Sequence, residues 1–95
     1  MTSKQRAFLR KLASNMPAIF QLGKNGVTDV FVSELDNAIE ARELIKIHVL
    51  ENSDEDAKEA AREIASRTNS EVVQVMGGKI TLFRKRKEKS KIDLP

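Results

Sequence analysis

The 95-residue sequence contains no cysteine, no tryptophan and no tyrosine. Without cysteine there is no disulfide and no thiol chemistry, which fits a cytosolic setting. The only aromatic residues are four phenylalanines, Phe8, Phe20, Phe31 and Phe83. Helical and strand periodicity assign the first three to the core, so an aromatic platform for stacking bases is not expected. Phe83, between basic residues on the last strand, is the one candidate for such a contact. His48 is the single histidine, and with no second imidazole and no thiol to share a metal it is expected to be structural or exposed. There is also no Walker-type phosphate loop and no carboxylate pair in an apolar setting. No enzyme, cofactor or metal site is therefore expected. No apolar run approaches the ~20 residues that span a bilayer. Lys4, Arg6, Arg10 and Lys11 interrupt the N-terminus where a signal peptide would carry its apolar core. These features together imply a cytoplasmic chain with no membrane partner.

What is present belongs to one soluble domain. Hydrophobic residues at 40% can form a modest core, and charged residues at 33% can cover it. The net charge of +3 hides a strong segregation. Residues 1–24 hold five Lys/Arg and no acid; residues 25–78 hold five Lys/Arg and twelve acids; residues 79–95 hold seven Lys/Arg and two acids. Such blocks imply a molecule with one basic surface and one acidic surface. A basic patch that releases counterions from phosphates is the commonest use of that arrangement.

Periodicity gives the elements in order. Ser3 can cap a first helix running to about Ser14, with Phe8, Leu9, Leu12 and Ala13 on its core stripe. Lys4 and Lys11 flank that stripe on one side, Arg6 and Arg10 on the other, and Asn15 and Pro17 stop the helix. Ala18–Leu22 reads as a short buried strand. A second helix from Thr28 to about Ala41 buries Phe31, Val32, Leu35, Ala38 and Ile39, and turns Asp29, Ser33, Asp36 and Glu40 outward. Leu44–Leu50 is the clearest strand, with Ile45, Ile47 and Val49 on one face and Lys46 and His48 on the other, partly covered. A third helix opens at Asn52-Ser53-Asp54, with Ser53 and Asp56 spaced like a capping box. Its stripe of Ala57, Ala60, Ala61, Ile64 and Ala65 favours close packing on a sheet, and Thr68-Asn69-Ser70 ends it. Glu71–Met76, Gly77-Gly78 and Lys79–Arg84 form a tight hairpin, because paired glycines suit the mirror-image turns. Arg84–Lys91 is too polar to pack, so residues 87–95 are expected to be a basic, flexible tail after a domain of residues 1–86.

The implied fold class is a single α/β domain of order α-β-α-β-α-β-β, with three helices on a four-stranded mixed sheet. Both crossovers should be right-handed, which puts the second and third helices on one sheet face. Between the first strand and the second helix lies Gly23-Lys24-Asn25-Gly26. Two glycines three apart allow positive φ and close approach to a ligand. The helix start just beyond offers unpaired N–H groups and the positive end of a dipole. Lys24 adds a mobile cation, and Asn25 can donate and accept. The result fits a clamp for a phosphodiester backbone. The spacing is weak evidence by itself, since G-x-x-G arises about 0.4 times by chance in a chain this long. Asp29, in the first helical turn, competes for the same N–H groups.

The runs KQRAFLRKLA, FQLGKNGVTD, ELIKIHVL and VVQVMGGKITLFR, in this order and spacing, resemble the bacterial YhbY family. That family is a stand-alone form of the CRM domain (chloroplast RNA splicing and ribosome maturation). The resemblance covers about residues 3–86. Its specificity comes from the glycine loop, Glu43-Leu44-Ile45-Lys46 and the Val75–Ile80 hairpin taken together. It implies an RNA-binding module whose Gly23, Lys24, Asn25 and Gly26 meet RNA, much as the G-x-x-G loop of KH domains clamps nucleotides. For bacterial members it implies association with precursor large ribosomal subunits, and for plant relatives group II intron splicing. Two points depart from the family pattern: the hairpin carries Gly77-Gly78 where one glycine is usual, and the tail beyond Arg86 is variable.

The expected function is binding of ribosomal RNA on the pre-large-subunit particle by a monomer. The loop and Lys24 would hold phosphate, flanked by Lys4, Arg10, Lys11, Lys79, Arg84, Lys85 and Arg86. Recognition should follow RNA shape and phosphate more than base sequence. The alternative is a protein-interaction module whose acidic face (Asp29, Asp36, Glu40, Glu59, Glu63) docks ribosomal proteins.

Overall fold

Leu44–Val49 sits at the centre of the molecule because its alternation gives both of its faces something to cover. Ile45 and Ile47 are fully buried on one face, while Lys46 and His48 are half-buried on the other. The computed structural model describes residues 1–53 and 56–95. Its elements are α1 (Ser3–Ala13), β1 (Phe20–Leu22), α2 (Asp29–Arg42), β2 (Leu44–Val49), α3 (Ala57–Thr68), β3 (Glu71–Met76) and β4 (Lys79–Phe83). The strands form one sheet of order β1-β2-β4-β3. β1 lies parallel to β2, and β4 lies antiparallel to both β2 and β3. The expected element order and mixed sheet are found, with β4 inserted between the strands that α3 connects.

Each sheet face has its own core. On one, Leu35 and Ile39 of α2 and Ala60, Ala61, Ile64 and Ala65 of α3 pack on Leu22, Ile45, Ile47, Ile80 and Leu82. The small side chains of α3 allow this close approach, as its alanine stripe implies. Phe20 and Phe31 meet edge to face at the border of this core, ring centroids 6.3 Å apart. On the other face, Leu9 and Ala13 of α1 cover Leu44, Val73 and Phe83, joined by Met16, Ile92 and Leu94.

Several local expectations are corrected. Thr2, not Ser3, caps α1: its hydroxyl accepts from the Gln5 amide at 3.1 Å and the Gln5 side chain accepts from the Thr2 amide at 3.0 Å. Phe8 and Leu12 are not core; they remain 36% and 44% exposed, since the residues of α1 that are buried against the sheet are Leu9 and Ala13. Ala18 and Ile19 fall outside β1, although the Ile19 amide donates to the Lys46 carbonyl at 3.0 Å. The expected opening of the third helix runs into residues 54–55, which lie outside the described residues. α3 itself starts at Ala57 with Asp56 in the N-cap position. The hairpin turn is of the mirror-image kind expected, with positive φ (+58°) at Gly77 and not at Gly78, the pattern of a type II′ turn. Gly78 is needed for another reason: a Cβ there would sit 2.9 Å from the Val49 carbonyl oxygen.

The run after β4 does pack. Glu43, fully buried at the C-cap of α2, accepts hydrogen bonds from the Arg86 amide (3.1 Å), the Ser90 hydroxyl (2.6 Å) and the Lys91 amide (2.6 Å). Ile92 and Leu94 lie against the α1-side core, and the Gln5 side chain donates to the Pro95 carbonyl at 3.2 Å. A stretch rich in lysine docks because one buried carboxylate anchors its main chain and because Ile92 and Leu94 add apolar contact at its end. Phe83, the candidate for base stacking, is only 5% exposed beneath α1 and is core instead.

Candidate nucleic-acid interface

The Gly23–Gly26 loop leaves β1 at the end of the sheet where the β3–β4 turn also lies. The Leu22 carbonyl accepts from the Leu50 amide at 2.9 Å, and the Gly78 carbonyl accepts from the Val49 amide at 2.7 Å. Within the loop the Gly26 amide closes a turn onto the Gly23 carbonyl at 3.1 Å, and Gly26 has φ +72°. A side chain at Gly26 would be strained by that backbone. Gly23 is different: its φ is not positive, and an added Cβ would make only ordinary contact, 3.7 Å from Leu50 Cδ1. Lys24 and Asn25 form the exposed tip, and their amides have no partner among the described residues.

The start of α2 supplies fewer open donors than the sequence implies. The Thr28 amide donates to the Gly26 carbonyl, and the Thr28 hydroxyl accepts from the Phe31 amide at 3.1 Å. The amides of Asp29 and Val30 remain unpaired among the described residues. The Asp29 carboxylate does not cap them. It is held by the Arg67 guanidinium of α3, which also donates to the Val27 carbonyl at 3.3 Å and pairs with Glu63 at 3.5 Å. That ion pair offsets part of the negative charge in the first turn that would oppose a phosphate, although the Asp29 side chain stays 95% exposed. A cleft of about 540 Å³ opens beside the loop, lined by the loop itself and by Gln21, Leu22, Val30, Phe31 and Glu34.

The cations expected around the loop divide into groups. Gln21, two residues before Gly23, pairs with His48, and His48 with Lys79, so Lys79 sits about 10 Å across the sheet from β1 at the loop end. Lys4, Arg10 and Lys11 are exposed on α1, which covers the sheet face to which Lys79 points. Arg84, Lys85 and Arg86 are elsewhere. Phe83 pairs with Leu44, five residues from Val49, so they follow β4 at the far end of the sheet, about 16 Å away. Arg84 is further removed from the set by its own bonds. Its guanidinium, 18% exposed, pairs with Asp36 at 2.6 Å and Glu40 at 3.2 Å and donates to the Thr68 carbonyl at 2.6 Å. Two residues escaped notice in the sequence as parts of this surface. Arg6 donates to the Val72 and Val73 carbonyls and ties α1 to β3, and the Lys46 ammonium donates to the Ala13 carbonyl at 2.6 Å. Nothing in their spacing marks either one, because each partner is a main-chain carbonyl on a distant element.

Residues 1–84 match the model of the CRS1 / YhbY (CRM) domain. The chain belongs to that family. Among CRM-domain relatives, a Bacillus subtilis (strain 168) protein named "Probable RNA-binding protein YqeI" is 42% identical over 95 residues, 100% of this chain and 99% of that protein. A Haemophilus influenzae protein named as an RNA-binding protein is 34% identical over 95 residues, covering 100% of this chain and 95% of that protein. The solution structure of a Staphylococcus aureus protein, described as a candidate RNA binding protein, superimposes with a TM-score of 0.84 at 45% identity, covering 100% of this chain and 99% of that one. The CRM fold and the family expected from the four sequence runs are thus both found.

Proposed function

We propose that this chain is an RNA-binding protein that holds the phosphate backbone of ribosomal RNA during assembly of the large subunit, in the cytoplasm and as a monomer. RNA binding is supported by the names of two relatives aligned over the full chain. The loop assignment rests on one observation above the others. The Lys24–Asn25 tip is exposed, its amides without a partner among the described residues, on a turn whose far glycine has positive φ. Such a bend presents main-chain N–H groups to an anion without side chains in the way. Gly23, Lys24, Asn25 and Gly26 take the phosphate; Lys79 flanks them directly, and Lys4, Arg10 and Lys11 extend the basic surface along α1. Lys85 and Arg86 belong to a separate patch, and Arg84 acts as a structural ion-pair partner. The ribosomal assignment comes from the resemblance to bacterial YhbY proteins.

The protein-docking alternative is weakened by the ion pairs of the acidic face. Asp29 and Glu63 are bound by Arg67, and Asp36 and Glu40 by Arg84. Four of its five carboxylates already have cations. Changing Lys24 and Asn25 together to glutamate and aspartate should weaken RNA binding by roughly tenfold or more, with the thermal midpoint nearly unchanged. Equal binding by that variant would remove the loop from the mechanism, and co-sedimentation with ribosomal particles tests the assembly role.

A further inference from the structure

One row of side chains crosses the sheet on the face that α1 only half covers, with one residue from each strand. Gln21 pairs in register with His48, His48 with Lys79, and Lys79 with Met76. Directly opposed residues share a face, so all four point the same way. The face is the one that carries Leu44, Val73 and Phe83, and α1 with the C-terminal residues covers only that end. At the other end Gln21, Lys79 and Met76 are exposed, Met76 at 62%, and His48 is half-buried. The next row inward is Lys46, Thr81 and Gln74. Neither row contains an acid. Gly78 borders the His48 ring, where a Cβ would make ordinary contact, 3.5 Å from His48 Cδ2. Gln21 also lines the cleft beside the loop, so the row begins where the loop's surface ends.

We infer that this row is a second nucleotide subsite, on which bases of a single RNA strand lie after the Gly23–Gly26 loop has taken its phosphates. The inference rests on the proposed loop function and extends it. An imidazole face and a soft thioether can each support a base, the Gln21 amide can donate and accept at a base edge, and Lys79 can meet the intervening phosphate. Three strand spacings make the row about 14 Å long, enough for two or three bases, although here an imidazole and a thioether stand where RNA-binding four-stranded sheets carry stacking aromatics. A polyanion suits the site better than a protein does. The only apolar side chain in the row is Met76, and an acid-free surface with two lysines would repel the basic proteins of a ribosome.

The test compares mixed-sequence single-stranded RNAs of about four and about eight nucleotides, plus an RNA duplex, on the full chain. Four nucleotides match what a G-x-x-G loop clamps. The His48→Ala/Met76→Ala variant should bind the tetramer and the duplex as the unaltered protein does. Its affinity for the octamer should drop by about five- to tenfold, the lower range for a stacked base. Met76→Ala alone, at an exposed position, should lose part of the same gain if the double variant is unstable. The Met76 methyl resonance should shift with the octamer and not with the duplex. An octamer affinity equal in both proteins overturns the subsite while leaving the loop intact if Lys24→Glu/Asn25→Asp still abolishes binding. A requirement for His48 and Met76 only in ribonuclease-resistant protein complexes also overturns it. Failure of the unaltered protein to bind any of the three RNAs ends both readings.

Discussion

Glu43 does the most at the scale of single residues. It is the only fully buried charged residue among those described, and it holds φ +67° at the turn between α2 and β2. Burial pushes its carboxyl up, but the hydrogen bonds from Ser90 and the Lys91 and Arg86 amides outweigh that push, so its pKa lies below the ordinary carboxylate value. A folded-state pKa below the unfolded one contributes stability that is present above the unfolded value, about 4.3 for glutamate. That stability is lost as pH falls through the folded value. Glu43→Gln should therefore lower stability at pH 7 by about 1–3 kcal/mol and flatten the acid limb of a plot of Tm against pH. Parallel acid limbs for both proteins would contradict the role. The two loop glycines should also differ. Gly26→Ala forces a Cβ into left-handed backbone and should cost about 1–2 kcal/mol, whereas Gly23→Ala should be close to neutral in a thermal melt. Sequence spacing treats this pair as equivalent, because φ is not written in the residue type.

The C-terminal segment is the element whose behaviour departs most from its composition. Residues 84–95 hold six Lys/Arg, yet Ile92 and Leu94 reach the core beneath α1. Removing residues 87–95 should uncover Leu9, Leu44 and Phe83 and cost about 2 kcal/mol from the partial burial of two aliphatic side chains. In a domain of this size that lowers Tm by about 10 °C. A detached tail would leave Tm unchanged. The second helix and the third strand, by contrast, were legible almost to the residue. α2 runs Asp29–Arg42 where Thr28 to about Ala41 was expected, and β3 has the expected bounds. Their stripes repeat over three or more turns or pairs, so single misplacements do not shift them. β1 shrank from five residues to three because Ala18-Ile19-Phe20, the apolar run after Pro17, has no alternation to mark where the strand starts.

Across the whole molecule, the charge blocks of the sequence become surfaces with different fates. The acidic face of α2 is neutralised from β4 and α3 by Arg84 and Arg67. The cations that remain near the loop are Lys24 and Lys79, with Lys4, Arg10 and Lys11 on α1. If all five meet phosphates of single-stranded RNA, the plot of log affinity against log salt should have a slope of about −3.5. Lys24→Ala should reduce that slope by about 0.7. Arg84→Ala should leave it unchanged and lower Tm instead, since Asp36 and Glu40 would lose their shared partner. A slope that falls equally with both changes would return Arg84 to the RNA surface.

The sequence alone determined the element order, the alternating faces of β2, the small-residue stripe of α3 and the family. Each of these depends on residues close together in the chain, whose periodicity or pattern can be read directly. Tertiary structure alone decided which cations stand beside the loop, that Glu43 would capture the C-terminal segment, that Phe83 would be sealed under α1, and that Gln21, His48, Lys79 and Met76 would share one row. All of these depend on strand register and on partners many residues away. Such pairings are fixed only when both cores close on the two faces of the sheet.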